Sequence, residues 1–202
     1  MRFSIFTAIA MISFATARKC GTGEPSQGLI QASNAIMAAS SNDFSIAKTR
    51  TPIRVPTYFH VLRYGLAEKE GNIPDSQLKA QVLLLLSSGI NSLTRPRQLD
   101  VLNKDYEPAG ISFVLKDTTR TTNSDWYHDQ DESAMKKALR KGNYGTLNVY
   151  FQDLSGITLG YCYFPQPRPD KDIIRTDGCS VLSTTLPGGN TTNYNLGRTL
   201  TQ

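Results

Sequence analysis

Five short runs in which apolar residues alternate with other side chains constrain this chain more than any other feature. In Ile53 to Tyr64, Val55, Thr57, Phe59 and Val61 fall on one face and Tyr58, His60 and Leu62 on the other, the period of two that defines a strand. Ile111 to Leu115 repeats the pattern, as do Leu147, Val149 and Phe151, then Leu159, Tyr161 and Tyr163, with Ser180 to Thr184 as a fifth run. Two helical segments interrupt them. Pro74-Asp75-Ser76 carries helix-start chemistry, and the helix it opens ends near Pro108-Ala109-Gly110. Asp129 to Arg140 has acids in its first turn and bases in its last, as the helix dipole favours. Strands alternating with helices predict an α/β (α+β) fold, a mixed sheet of about five strands with two helices. Pro52 and Pro56 place the first strand at an edge or a strand start, and Thr118 to Ser124 reads as a polar loop.

The beginning of the chain reads as a signal peptide over 1–17. Arg2 is the positive n-region, Phe3 to Phe14 the apolar stretch and Ala15-Thr16-Ala17 the cleavage site. The apolar stretch is too short for a comfortable membrane span, so the expected product is secreted, with no membrane span. Residues 18–50, rich in Ser, Ala, Gly and Asn, read as a pro-segment or linker with a short helix around Leu29 to Ala39, ahead of a domain over 51–202. The formal charge is +5, but the basic residues are scattered, which argues against nucleic acid as a partner.

Export permits disulfides. Cys162 and Cys179 bracket a proline-rich loop and are the natural pair, which leaves Cys20 over. Asn190-Thr191-Thr192 makes Asn190 a candidate glycosylation site. His60 reads as a partly buried strand residue and His128 as a surface loop or helix-entry residue, since neither has a chelating partner four positions away. Asp129, Asp131 and Glu132 read as a helix N-terminal cluster, and Tyr161, Tyr163 and Phe164 as core and rim packing.

One segment does not fit. Val82 to Gly89 runs through a polar amphipathic helix as an apolar block. If 82–98 is removed, Gln81 precedes Leu99, and Leu78, Leu99, Leu102 and Tyr106 then share one helical face. A Val codon begins with GT and a Gln codon can end in AG, so 82–98 is read as a retained intron, the alternative being a real insertion that forms a loop or a longer helix.

With these pieces in place, several runs resemble the secreted pappalysin-type metalloproteases of fungi, a branch of the metzincins. They are Val55-Pro56-Thr57-Tyr58-Phe59-His60-Val61, Gly71-Asn72-Ile73-Pro74-Asp75-Ser76-Gln77, Asp105-Tyr106-Glu107-Pro108-Ala109-Gly110-Ile111, Leu147-Asn148-Val149-Tyr150-Phe151, Gly160-Tyr161-Cys162-Tyr163-Phe164-Pro165, Asp177-Gly178-Cys179 and Asn195 to Thr201. The resemblance implies the upper subdomain of a zinc metalloendopeptidase, which acts on proteins or peptides through a zinc-activated water. In relatives the run resembling Gly197 to Thr201 leads into H-E-x-x-H. Here Gln202 stands in place of the first His, so the expectation is a chain without the active-site helix and lower subdomain. It would have no catalytic residues, no metal ligands and no zinc of its own.

The resemblance also implies that Leu159, Gly160 and Tyr161 lie on the rim strand along which substrate pairs antiparallel. It implies that Cys20 is a latency cysteine of the kind that plugs a catalytic zinc with its thiolate. The alternative is a non-catalytic secreted peptide-binding fragment or a wrongly drawn gene model. Sequencing the mature transcript is expected to show the codon for Gln81 joined directly to that for Leu99. A transcript retaining the codons for 82–98 would rule out the intron.

Overall fold

The computed structural model describes residues 18–41, 52–78 and 97–201. The expected signal peptide 1–17, residues 42–51, residues 79–96 with most of the expected intron, and Gln202 lie outside the described residues.

The strands are β1 (Lys19–Cys20), β2 (Ile53–Arg63), β3 (Ile111–Thr122), β4 (Leu147–Gln152), β5 (Thr158–Cys162) and β6 (Cys179–Leu182). They form one six-stranded sheet in the order β1-β5-β6-β4-β2-β3. Every neighbouring pair is parallel except β5 with β6. The helices are α1 (Gln27–Ser41), α2 (Asp75–Leu78), α3 (Gln98–Tyr106), α4 (Ser124–Tyr127), α5 (Glu132–Leu139) and α6 (Lys171–Thr176). None of the described helices is long and apolar enough to cross a membrane.

The architecture is the expected mixed α/β one, with more elements than the sequence pattern predicts. The sixth strand comes from the segment read as pro-segment or linker. The predicted helix from Asp75 to Pro108 is described as α2 and α3, followed by a 3-10 turn Glu107–Ala109 that closes at left-handed Gly110. β2 is an inner strand and not an edge: Thr57 to Val61 pair with β4 on one side while the whole strand pairs with β3 on the other. Pro56 precedes the first residue paired with β4, so its missing N–H leaves no bond to β4 unmade. β3 continues to Thr122 through the stretch read as a polar loop, because its β-branched threonines suit a half-buried pleat alongside β2.

The two faces of β2 lead to two cores. Phe59 and Val61 join Val149, Phe151, Val181 and Leu186 on one face, where Leu78 and Leu102 are buried and Leu99 and Tyr106 pack against the cluster. On the other face Leu62 packs with Tyr150, Tyr127 and Met135 of α5. The acids read as one helix-start cluster separate. Asp131 caps α5 by accepting from the Ala134 N–H at 3.0 Å, while Asp129 and Glu132 point elsewhere.

His60 is fully buried, not partly buried, and lies stacked on Tyr150 at 4.8 Å. Its Nε2 is 3.0 Å from Asn148 Oδ1 and its Nδ1 is 2.8 Å from Thr119 Oγ1. Asn148 turns its Nδ2 toward the carbonyls of Lys141 and Thr146, so its oxygen must accept from His60 Nε2–H. Nδ1 then accepts from the Thr119 hydroxyl. Burial lowers the His60 pKa to about 4. An unfolded chain takes up this proton near pH 6.5 and the folded one does not, so the stabilisation is complete above pH 6.5 and is lost as pH falls toward 4. The loss over that window is about 3 kcal/mol. Urea melts at pH 7 and pH 4 are expected to show a pH dependence smaller by that amount in His60→Gln; identical pH dependences would contradict it.

Candidate functional site

β5 pairs antiparallel with β6 and parallel with β1, and its outer edge is covered by β1 alone among the described residues. On its inner side Gly160, Tyr161 and Cys162 pair with Val181, Ser180 and Cys179 of β6. On its outer side the register is Lys19 with Thr158 and Cys20 with Gly160. Lys19 N–H donates to the Ile157 carbonyl at 3.1 Å and Gly21 N–H to the Gly160 carbonyl at 2.7 Å. Cys162 N–H donates to Thr22 Oγ1 at 3.1 Å, extending the contact past the end of β1.

Leu159, Gly160 and Tyr161 therefore lie together in the middle of this strand. Leu159 is buried against Leu154 and Leu182, so its side chain packs inward and its backbone alone faces the edge. Gly160 is buried, and a Cβ there would lie 3.0 Å from the Ser180 carbonyl oxygen and 3.1 Å from Thr199 Cγ2, so a bare backbone fits best. The Tyr161 hydroxyl points toward Asp129 Oδ1, 3.5 Å away. Cys20 is an exposed free thiol whose Sγ lies 3.4 Å from the Gly160 carbonyl oxygen and 3.2 Å from Thr22 Oγ1. Cys162 and Cys179 are joined as a disulfide between directly opposed positions of β5 and β6. A cavity of about 430 Å³ lies beside the edge, walled by Gly21 and Glu24 on one side and by Tyr161, Tyr163, Phe164 and Pro165 on the other.

Beneath β5 lies a polar cluster that the sequence reading missed. Lys136 of α5, which the sequence pattern did not single out, is fully buried. Its Nζ is 2.8 Å from Glu132 Oε1 and donates to the Thr176 carbonyl at 3.0 Å. It also lies 4.5, 5.4 and 5.7 Å from the ring centres of Tyr163, Tyr150 and Tyr161. Burial lowers the Lys136 pKa, and the Glu132 carboxylate opposes that shift. Asp129, held at a left-handed φ of 58°, accepts from Gln152 Nε2 at 2.7 Å, and burial raises its pKa. The four-residue spacing of Glu132 and Lys136 and the alternation of Tyr161 with Tyr163 were the available signals, but neither one specifies burial.

The histidines do not serve this site. His60 has both nitrogens engaged in the sheet, and exposed His128 caps the C-terminal end of α4, donating from Nδ1 to the Ser124 carbonyl at 2.8 Å. Among the described residues no three His, Cys, Asp or Glu side chains gather closely enough to hold a metal, so the residues present do not fit a zinc ion. Asn190 is exposed at the mouth of a second cavity of about 480 Å³, away from β5.

No protein-family model matches the chain. The fold resembles that of a promirolysin E225A mutant from Tannerella forsythia, with a TM-score of 0.53 at 21% identity over 91% of this chain and 66% of that one. This is the mixed α/β fold of the metzincin and pappalysin class. The sequence is 42% identical over 209 residues to an extracellular metalloprotease of Colletotrichum graminicola, covering 98% of this chain and 68% of that protein. It is 38% identical to an extracellular metalloprotease of Pyricularia oryzae, covering 96% of this chain and 63% of the relative. It is 41% identical to extracellular metalloprotease 1 of Coccidioides posadasii, covering all of this chain and 69% of the relative. The chain belongs to the fungal extracellular metalloprotease family, and it spans about two thirds of the length of these relatives. It carries no H-E-x-x-H.

The disulfide closes a sequence separation of 17. Replacing Cys162 and Cys179 together by Ser is expected to lower stability by about 3 kcal/mol, measured by denaturant unfolding. An unchanged midpoint would show that the β5–β6 ladder holds without it.

Proposed function

We propose that this chain is the peptide-aligning part of a secreted zinc endopeptidase, and that peptide backbone pairs along the outer edge of β5 at Leu159, Gly160 and Tyr161. The whole enzyme would hydrolyse protein or peptide substrates. No hydrolytic step is assigned to the residues described here, because they do not fit a zinc ion. For the sequence as it stands, peptide binding without hydrolysis is the activity this edge supports.

The observation that carries the reading is the pairing of β1 with β5. A segment preceding the domain lies as an extra strand along the edge assigned to substrate, so the edge accepts extended backbone in the folded chain. It lies parallel to β5, opposite to the antiparallel course expected of a substrate in this family. A pro-segment laid in reverse covers the edge without presenting its own bonds in the cleavable direction. On this reading 18–50 is the pro-segment and Cys20 its latency residue, placed opposite Gly160 at the centre of the edge. We also assign Asn190, exposed within its sequon, as a glycosylation site.

We retain the reading of 82–98 as an intron. Leu78 and Leu102, on either side of the segment, are buried in the same cluster, with Leu99 and Tyr106 packed against it. Gln98 is buried and donates to the Gly197 carbonyl at 2.9 Å. Residue 81 is also Gln, so joining Gln81 to Leu99 leaves the same residue type before Leu99.

Gly21→Pro tests the edge, since it removes the N–H donated to Gly160. A fluorescent peptide of residues 18–26 is expected to bind the Gly21→Pro chain about tenfold more tightly than the unaltered chain, whose own β1 competes. Equal affinities, or no binding to either chain, would count against the edge as a peptide site.

A further inference from the structure

Burying an ammonium group is unfavourable unless it is closely paired, and an apolar side chain of similar size commonly fills such a space at less cost. Lys136 is nonetheless fully buried between α5 and the sheet, and its partners form a pattern. Two of the three rings around its Nζ belong to the rim: Tyr161 in β5 and Tyr163 just beyond it. Glu132 bridges the two groups, with Oε1 on Lys136 and Oε2 accepting from the Tyr163 hydroxyl at 2.9 Å. Lys136 is anchored in turn to the Thr176 carbonyl at the end of α6 and faces Tyr150 of β4. Asp129 adds a link from Gln152 of β4 to the Tyr161 hydroxyl.

β5 needs such a hold. It is five residues long, and its pairing with β6 covers only Gly160, Tyr161 and Cys162. The carbonyls that receive β1 belong to Ile157 and Gly160, so one lies ahead of the β6 pairing and the other at its start. The direction and height of those carbonyls depend on how the strand is held from the side of α5. We propose that Lys136 is a positioning residue for the rim. Through Glu132, Tyr163 and Tyr161 it sets the strand against which the pro-segment, and by the reading above a substrate peptide, must pair. The contacts of Lys136 with the rim are to the rings of Tyr161 and Tyr163.

This inference rests on β5 being a peptide-pairing edge, and site-resolved amide hydrogen exchange on the full chain separates the two ideas. In the unaltered chain the amides of Lys19 and Gly21 are expected to be protected. If they exchange freely, the edge reading fails and the positioning role fails with it. If they are protected, Lys136→Met is expected to speed their exchange about tenfold while Phe59, Val149 and Phe151 keep their protection. Tyr163→Phe removes only the hydroxyl bound to Glu132, from a side chain already half exposed, so folding is not at risk. It is expected to speed the same two amides by a smaller factor, about threefold. Unchanged exchange at Lys19 and Gly21 in both variants would overturn the proposal. So would a uniform rise across the sheet in Lys136→Met with no local effect in Tyr163→Phe, because that pattern marks Lys136 as a general stabiliser.

Discussion

An edge strand leaves a row of backbone N–H and C=O groups without partners, and the two edges of this sheet satisfy that requirement in opposite ways. At the β3 edge the cover is built into the domain. The side-chain amide of Asn103, on α3, accepts from the Phe113 N–H at 2.6 Å and donates to the Phe113 carbonyl at 3.2 Å, standing in for one residue of a further strand. Lys116 adds a bulge and an exposed positive charge further along the same strand. At the β5 edge the cover is a separate two-residue strand from the segment ahead of the domain. One edge is partly covered by a helix of the domain and the other by a piece of chain from ahead of it.

The same contrast appears in the buried ionisable groups. His60 lies inside the sheet, neutral and bonded at both nitrogens, and its burial is a stability term that pH can remove. Lys136 lies between layers with a carboxylate and three tyrosines around it. Those phenols stay protonated, since burial raises the pKa values of Tyr150 and Tyr161 and pushes that of Tyr163 up to about 12. The Tyr163 hydroxyl therefore remains a donor to Glu132 at any pH the domain meets. His60 connects strands of the core to one another, whereas the Lys136 cluster connects the core to the rim.

These differences explain what was legible in the sequence. β2 and β4 were readable because large apolar side chains alternate there and both faces are buried, as Phe59, Val61 and Leu62 show. The second half of β3 was not, because Thr118 to Thr122 is polar throughout and becomes a strand through its long pairing with β2. Leu159, Gly160 and Tyr161 were brought to notice by family resemblance, since alternation alone cannot say which strand lies at the rim. β1 was invisible: two residues carry no periodicity, and its pairing depends on a partner nearly 140 positions away. Lys136 did not stand out because a base toward the end of a helix normally faces water, and nothing local reveals the three rings around it.

The small size of β1 fits a removable cover. It pairs at only two register positions, and with the bonds to Ile157 and Gly160 and the Thr22 contact this makes a short pairing that a free peptide of the same length would form only weakly. A connection to the rest of the chain makes the pairing intramolecular, so the edge is covered far more while the link is intact than after it is cut. If the chain were cut between residues 18–41 and the domain, dilution alone would favour release. A longer strand would hold the edge too firmly for cleavage to uncover it. The rim must then be shaped by something other than its cover, and the buried contacts from α5 supply that on the opposite side of β5.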